Sequence, residues 1–92
     1  MRYPCPCCGF LTYTKAPCGE YDICQVCFWE DDPIQKEYPD EDGGANKVSL
    51  NQARINFRKF GACEEECIPF VRPPRQEEYP IDLDKSAKQE NQ

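Results

Sequence analysis

Two short cysteine pairs near the start of this chain constrain it more than any other feature. Cys5 and Cys8 lie in Cys5-Pro6-Cys7-Cys8-Gly9, Cys24 and Cys27 flank Gln25-Val26, and fifteen residues separate the pairs. Each C-x2-C turn can aim two sulfurs at one point, so this spacing predicts a tetrahedral metal site with Cys5, Cys8, Cys24 and Cys27 as ligands. Pro6 stiffens the first turn. Gly9 permits the backbone geometry in which amide N–H groups point at a ligating sulfur. Pairing Cys5 with Cys7 would keep the site with a different bite. A disulfide framework is the other use of eight cysteines, disfavoured by the adjacent Cys7 and Cys8 and by an N-terminus with no apolar export signal.

A metal matters here because the chain is short. Its 92 residues, with nine prolines and 39% hydrophobic content, are one domain's length and can bury only a thin core. No segment is apolar for long enough to span a bilayer, so the expectation is a cytoplasmic protein with reduced thiols and no membrane partner. Seventeen acidic residues against eleven basic ones, with no histidine, set the formal charge at −6. A divalent ion held by four thiolates adds a further charge of about −2. Nucleic acid is a poor partner for such a surface. The densest basic group, Arg54, Arg58 and Lys59, reads first as a solvated helix face.

Residues 10–14 and 20–23 alternate, placing Leu11, Tyr13, Tyr21 and Ile23 on one face of two strands, with Lys15 to Gly19 as the turn. The cysteine pairs would sit at the open end of this hairpin. Residues 33–48 read as an ordered, irregular loop broken by Pro33, Pro39 and Gly43-Gly44. A helix then starts at the N-cap Ser49, with Gln52 placed for a capping box, and stops at Gly61. Leu50, Ala53, Phe57 and Phe60 form its apolar stripe. Ile68 to Pro74 reads as an extended edge segment, and residues 82–92 as a disordered polar tail. The predicted class is α+β: a zinc-ribbon-like hairpin with two cysteine knuckles and one packed helix, forming a single domain over residues 1–81.

The chain resembles the bacterial cysteine-rich CPCC family. The resemblance rests on Tyr3-Pro4-Cys5-Pro6-Cys7-Cys8-Gly9, Ile23-Cys24-Gln25-Val26-Cys27-Phe28-Trp29-Glu30-Asp31-Asp32, Gly43-Gly44-Ala45-Asn46 with Ser49-Leu50, and Asn56-Phe57 with Phe60-Gly61. It covers about residues 3–75 and implies a small zinc-ribbon-type domain of uncharacterised function, whose paired cysteines are metal ligands. It brings no catalytic residues. Gln25 stands where proline is common in that family, and Cys18 where glycine often is.

The remaining cysteines are harder to place. Cys18 lies six residues before Cys24, roughly 20 Å along a strand at about 3.3 Å per residue, too far to join the same ion if the hairpin forms. Cys63 and Cys67 are four apart and share a face if the helical turn continues past Gly61. They read as buried or free thiols, as a second metal site lacking an obvious further ligand, or as replacements for a ligand of the first site.

Zinc is the expected ion, one per chain with a second as a candidate. Iron in the same four sulfurs would make a rubredoxin-like electron carrier, which the presence of Phe28 rather than glycine after the last cysteine disfavours. A thiol redox sensor using Cys18, Cys63 and Cys67 is a third reading. Four cysteines leave a zinc no open position, and no histidine is available as a base, so an enzyme is not expected. The expected role is binding another protein. Glu30, Asp31 and Asp32 beside Trp29 form one candidate partner surface, and Arg54, Arg58 and Lys59 another. The competing reading of the acidic group is that Trp29 covers the metal site and that Asp31 or Asp32 caps the chain before Pro33. Asp40 to Gly44 lacks the spaced ligands of a calcium loop.

Overall fold

The computed structural model describes residues 2–17 and 19–80. The expectations for Cys18 and for the tail 82–92 lie outside them. Among the described residues no paired strand forms, and the predicted hairpin between 10–14 and 20–23 is replaced by two separate antiparallel bridges, Tyr3 with Tyr13 and Ile23 with Glu30. Neither segment runs evenly extended, since bends interrupt both and Tyr21 is left-handed at φ 63°, and each pairs with residues flanking its own cysteine turn. Tyr3 N–H donates to Tyr13 O at 2.8 Å and Cys5 N–H to Phe10 O at 2.9 Å. In the second unit Tyr21 N–H donates to Asp31 O at 3.0 Å and Cys24 N–H to Trp29 O at 2.9 Å. Loop length does not decide between the arrangements, since Tyr13 lies ten residues from Tyr3 but only eight from Tyr21; the left-handed Tyr21 breaks the second run, and the tight backbone hydrogen bonds of each cysteine turn set the pairing.

Two helices follow. Helix α1, Pro33–Glu37, occupies part of the span predicted as loop. Its start is chemically explicit: Asp32 Oδ1 accepts from the amides of Ile34 and Gln35, and proline takes the first helical position, where its missing N–H costs nothing. Helix α2, Leu50–Phe60, lies where its signals predict. Ser49 Oγ accepts from Gln52 N–H at 3.1 Å, while the Gln52 side chain bonds Asn56 rather than returning to the cap. Gly61, left-handed at φ 81°, ends the helix. Leu50 and Ala53 are buried, and Phe57 packs at the edge of the core.

The segment after α2 turns tightly where an extended edge was expected. A 3₁₀ helix at Glu65–Phe70 takes in Ile68, Pro69 and Phe70, and only Val71 to Arg75 run extended before a second 3₁₀ turn, Gln76–Glu78. This strap crosses both cysteine units: Arg72 N–H donates to Gln25 O at 3.2 Å, and Leu11 N–H to Glu78 O at 2.7 Å.

The core is built from Cys5, Cys7, Cys24, Cys27 and Cys63 together with Tyr13, Val26, Trp29, Leu50 and Ala53. Trp29 is fully enclosed. Such a side chain removes on the order of 200 Å² from water, about 5 kcal/mol of transfer free energy. Two buried amides organise the irregular stretch before α2. Asn46 accepts from Glu30 N–H at 2.9 Å and donates to Glu30 O at 2.8 Å, so its side chain pairs with that residue as a strand would. It also donates to Gln35 Oε1, whose own amide lies within hydrogen-bond distance of the Glu41, Asn46 and Val48 carbonyls.

Candidate metal centre

The two cysteine turns are near copies in their hydrogen bonds. In the first, Cys5 N–H donates to Phe10 O and Gly9 N–H to Cys5 O, both at 2.9 Å. In the second, Cys24 N–H donates to Trp29 O at 2.9 Å and Phe28 N–H to Cys24 O at 2.8 Å. Gly9 and Phe28 are both left-handed, at φ 82° and 71°. Tyr13 joins the units, its buried hydroxyl donating to Asp22 O at 3.2 Å. Burial pushes that phenol's pKa well above its ordinary value.

This framing brings four sulfurs together. The Sγ atoms of Cys5, Cys8, Cys24 and Cys27 all lie within 4.8 Å of one another, with Cys5 to Cys27 at 3.6 Å and Cys8 to Cys24 at 3.7 Å. Metal–sulfur bonds of about 2.3 Å at tetrahedral angles demand an edge of about 3.8 Å. The four thiols therefore fit a metal ion. Cys5, Cys24 and Cys27 are buried and Cys8 is partly exposed.

Electrostatics at the centre favours a cation. Four thiolates this close repel one another, and of the sulfurs Cys24 is the one whose surroundings favour the thiolate form. That group is held low by hydrogen bonds from Cys27, Cys5 and Cys8 and by Thr12 Oγ1 at 3.1 Å. Cys8 and Cys27 are pushed up, first by sharing a proton with Cys24. A divalent ion would displace those protons and neutralise half of the charge. Cys7 N–H donates to Cys5 Sγ at 3.3 Å, so a backbone amide and the Thr12 hydroxyl both support the sulfurs from outside.

The profile of the family described as Cysteine-rich CPCC matches residues 3–78. The chain belongs to the cysteine-rich CPCC family. No curated protein matches it. The match takes in every element described above, from the Tyr3 bridge to the Glu78 turn.

Within this CPCC domain the structure sorts the other candidate residues. Cys7 is buried in the core and belongs to neither group of potential metal donors. All seven described cysteines are free thiols. Cys63 and Cys67 come together with Glu64 as a second group of potential donors, distinct from the first four. They do not meet on a continued helix, because Gly61 stops α2; the 3₁₀ turn returns Cys67 to Cys63 instead. Burial pushes both thiols up, which weighs against the reactive thiolate that a redox sensor needs.

The expected partner surfaces change more. Asp31 and Asp32 are buried and internally bonded, so they offer no acidic face. Asp31 Oδ2 accepts from Gly19 N–H at 2.8 Å. Burial alone would push Asp32 up, but the amides of Ala45, Gln35 and Ile34 bring it below its ordinary value. Glu30 is half-buried, pinned through its backbone by Asn46. Arg54 is also recruited inward: its Nε donates to Pro6 O at 2.9 Å and ties α2 to the first cysteine turn. Arg58 and Lys59 are exposed.

Thr12, Glu64 and Glu78 escaped the sequence reading. Thr12 differs in no visible way from the threonine at position 14, and Glu64 opens a run of three glutamates. Glu78 is buried and receives a two-pronged bond from Arg72 at 2.9 and 2.8 Å. That guanidinium holds its carboxyl at about 2.

Proposed function

We propose that this domain is a zinc-stabilised module that binds another protein, with one zinc ion held by Cys5, Cys8, Cys24 and Cys27 in a structural role. The fit of four mutually close sulfurs to a tetrahedral edge carries the reading. Two facing cysteine turns give it a zinc-ribbon-like character even though the connecting hairpin is replaced by two bridges. Four protein donors complete a tetrahedron, leaving no position for water or substrate at that ion, which supports scaffold over hydrolysis. The thin core, in which cysteines are a large share of the buried residues, supports a metal that contributes folding free energy.

Zinc is the ion suited to such a role because it is redox-inert and imposes no geometry of its own. Iron accepts the same donors. Phe28 adopts the conformation a glycine would take, so its identity does not separate the two ions. Of the surfaces singled out by sequence, Arg58 and Lys59 are the ones suited to an acidic partner. No helix among the described residues is long and apolar enough to cross a membrane. We place the protein in the reducing cytoplasm, where its thiols would stay available to metal.

Metal analysis of purified protein, with Cys5→Ser as control, tests the reading. A colourless protein with zinc bound, and loss of that zinc in Cys5→Ser, is the expected result. A red protein with sulfur-to-iron charge-transfer bands would overturn it in favour of electron transfer.

A further inference from the structure

Outside the four-cysteine centre, three donors from one short segment converge beside a cleft. Cys63 Sγ and Cys67 Sγ lie 4.0 Å apart, and a carboxylate oxygen of Glu64 joins them within 4.8 Å. The sulfur separation is close to the tetrahedral edge of about 3.8 Å that the first centre also meets. Gly61 ends α2, so Cys63 falls in a turn that is pinned at both backbone groups. Its N–H donates to Cys27 O at 2.8 Å, and its carbonyl accepts from Asn56 Nδ2 at 2.9 Å. Glu64 is extended, and Cys67 N–H donates to Glu64 O at 2.9 Å, closing the turn.

The group has an enclosed side and an open side. Cys63 is buried while Glu64 and Cys67 are half-buried, and all three line a cleft of about 150 Å³ shared with Glu30, Asn46 and Lys47.

We propose that Cys63, Glu64 and Cys67 form a second metal site that takes a zinc-type divalent ion through three protein ligands and turns its fourth position to the cleft. Three protein donors plus one exchangeable position is the arrangement that distinguishes a zinc able to bind something from one that only holds a fold. Two thiolates and a carboxylate outweigh the charge of a divalent ion by about one, so the fourth position takes a neutral donor such as water or an imidazole in preference to an anion. Binding releases the protons of both thiols. The tie from Cys63 N–H to Cys27 O builds this site directly on the second cysteine turn, so the first centre must fold for the second to form.

Cobalt titration of the full chain tests the proposal. Wild type is expected to take two equivalents. The first gives tetrathiolate bands; the second gives about half that thiolate-to-cobalt charge transfer, and imidazole shifts only the second set. Cys67→Ala should abolish the second equivalent and Glu64→Gln should weaken it at least tenfold, while the first set persists and reports an intact fold. A single equivalent in wild type, or a second equivalent unmoved in Cys67→Ala, would overturn the proposal. Should Cys67→Ala lose both sets, Glu64→Gln decides, because unchanged affinity there removes Glu64 from the site and the proposal with it. Loss of the first set in wild type would instead contradict the four-cysteine reading under Proposed function.

Discussion

Phe28 occupies in the second cysteine turn the position Gly9 occupies in the first, and both are left-handed, at φ 71° and 82°. A β-carbon in that conformation costs roughly 1–2 kcal/mol. Phe28 recovers part of this by packing against Phe70, ring centroids 5.4 Å apart. Phe28→Ala keeps the strain and loses the packing, whereas Phe28→Gly loses the packing and relieves the strain. Thermal unfolding at saturating zinc should therefore rank Phe28→Gly above Phe28→Ala by about 1 kcal/mol, the reverse of the usual order for these residues. Gly9→Ala should lose about the same amount. Equal stabilities of the two Phe28 variants would mean that the turns are not conformationally equivalent.

The hydroxyl of Thr12 donates to Cys24 Sγ at 3.1 Å. Outer partners of this kind typically support metal affinity by ten- to a hundredfold. Thr12→Val, which keeps the shape and removes the donor, should release zinc to a competing chelator about tenfold more readily, while Thr12→Ser should hold it nearly as well as wild type. Indistinguishable release from Thr12→Val and wild type would remove the hydroxyl from the metal centre's support.

Asn46 is almost fully buried and spends both ends of its amide on Glu30 and Gln35. Asn46→Ala should cost about 2–4 kcal/mol, since buried polar groups lose their partners. Asn46→Asp should not rescue it, because its oxygen would face the two acceptors that Nδ2 now serves. Denaturation midpoints of the two variants check this, and a wild-type midpoint for either would show that the network carries no stability.

What the sequence revealed and what it hid divide along one physical line. The grouping of Cys5, Cys8, Cys24 and Cys27 was legible because a C-x2-C turn has a fixed bite, and α2 because Ser49 and Gly61 act on adjacent backbone groups. The hairpin was not, since alternation marks residues 10–14 and 20–23 as extended without saying what they pair with. Asp32-Pro33 carries a helix-start signature, yet five residues are too few for an apolar period to show. Nothing local in the sequence marks Gln35, Asn46 and Glu78 for burial; it depends on partners distant in the chain, such as the carbonyl of Val48 for Gln35 or the amide of Leu11 at the Glu78 turn.

Glu78 gives the account a pH dependence. Its folded-state carboxyl sits near 2, below the ordinary 4.5, chiefly through Arg72. A depressed carboxylate contributes stability that is fully present above 4.5 and lost as pH falls toward 2. That contribution is at most about 3 kcal/mol, and less because the Arg72 side chain is 28% exposed. The stability difference between wild type and Glu78→Gln should stay at about 1–3 kcal/mol from pH 8 to pH 5. A difference that fades within that range would place the titration elsewhere.

The central claim is that a metal at Cys5, Cys8, Cys24 and Cys27 holds this fold together, and Trp29, enclosed in the same core, reports on it. Stripping the metal with a strong chelator while following the near-ultraviolet circular dichroism of Trp29 tests it most directly. The signal should collapse on chelation and return with the first equivalent of zinc. A metal-free protein with an unchanged Trp29 signal would contradict the account.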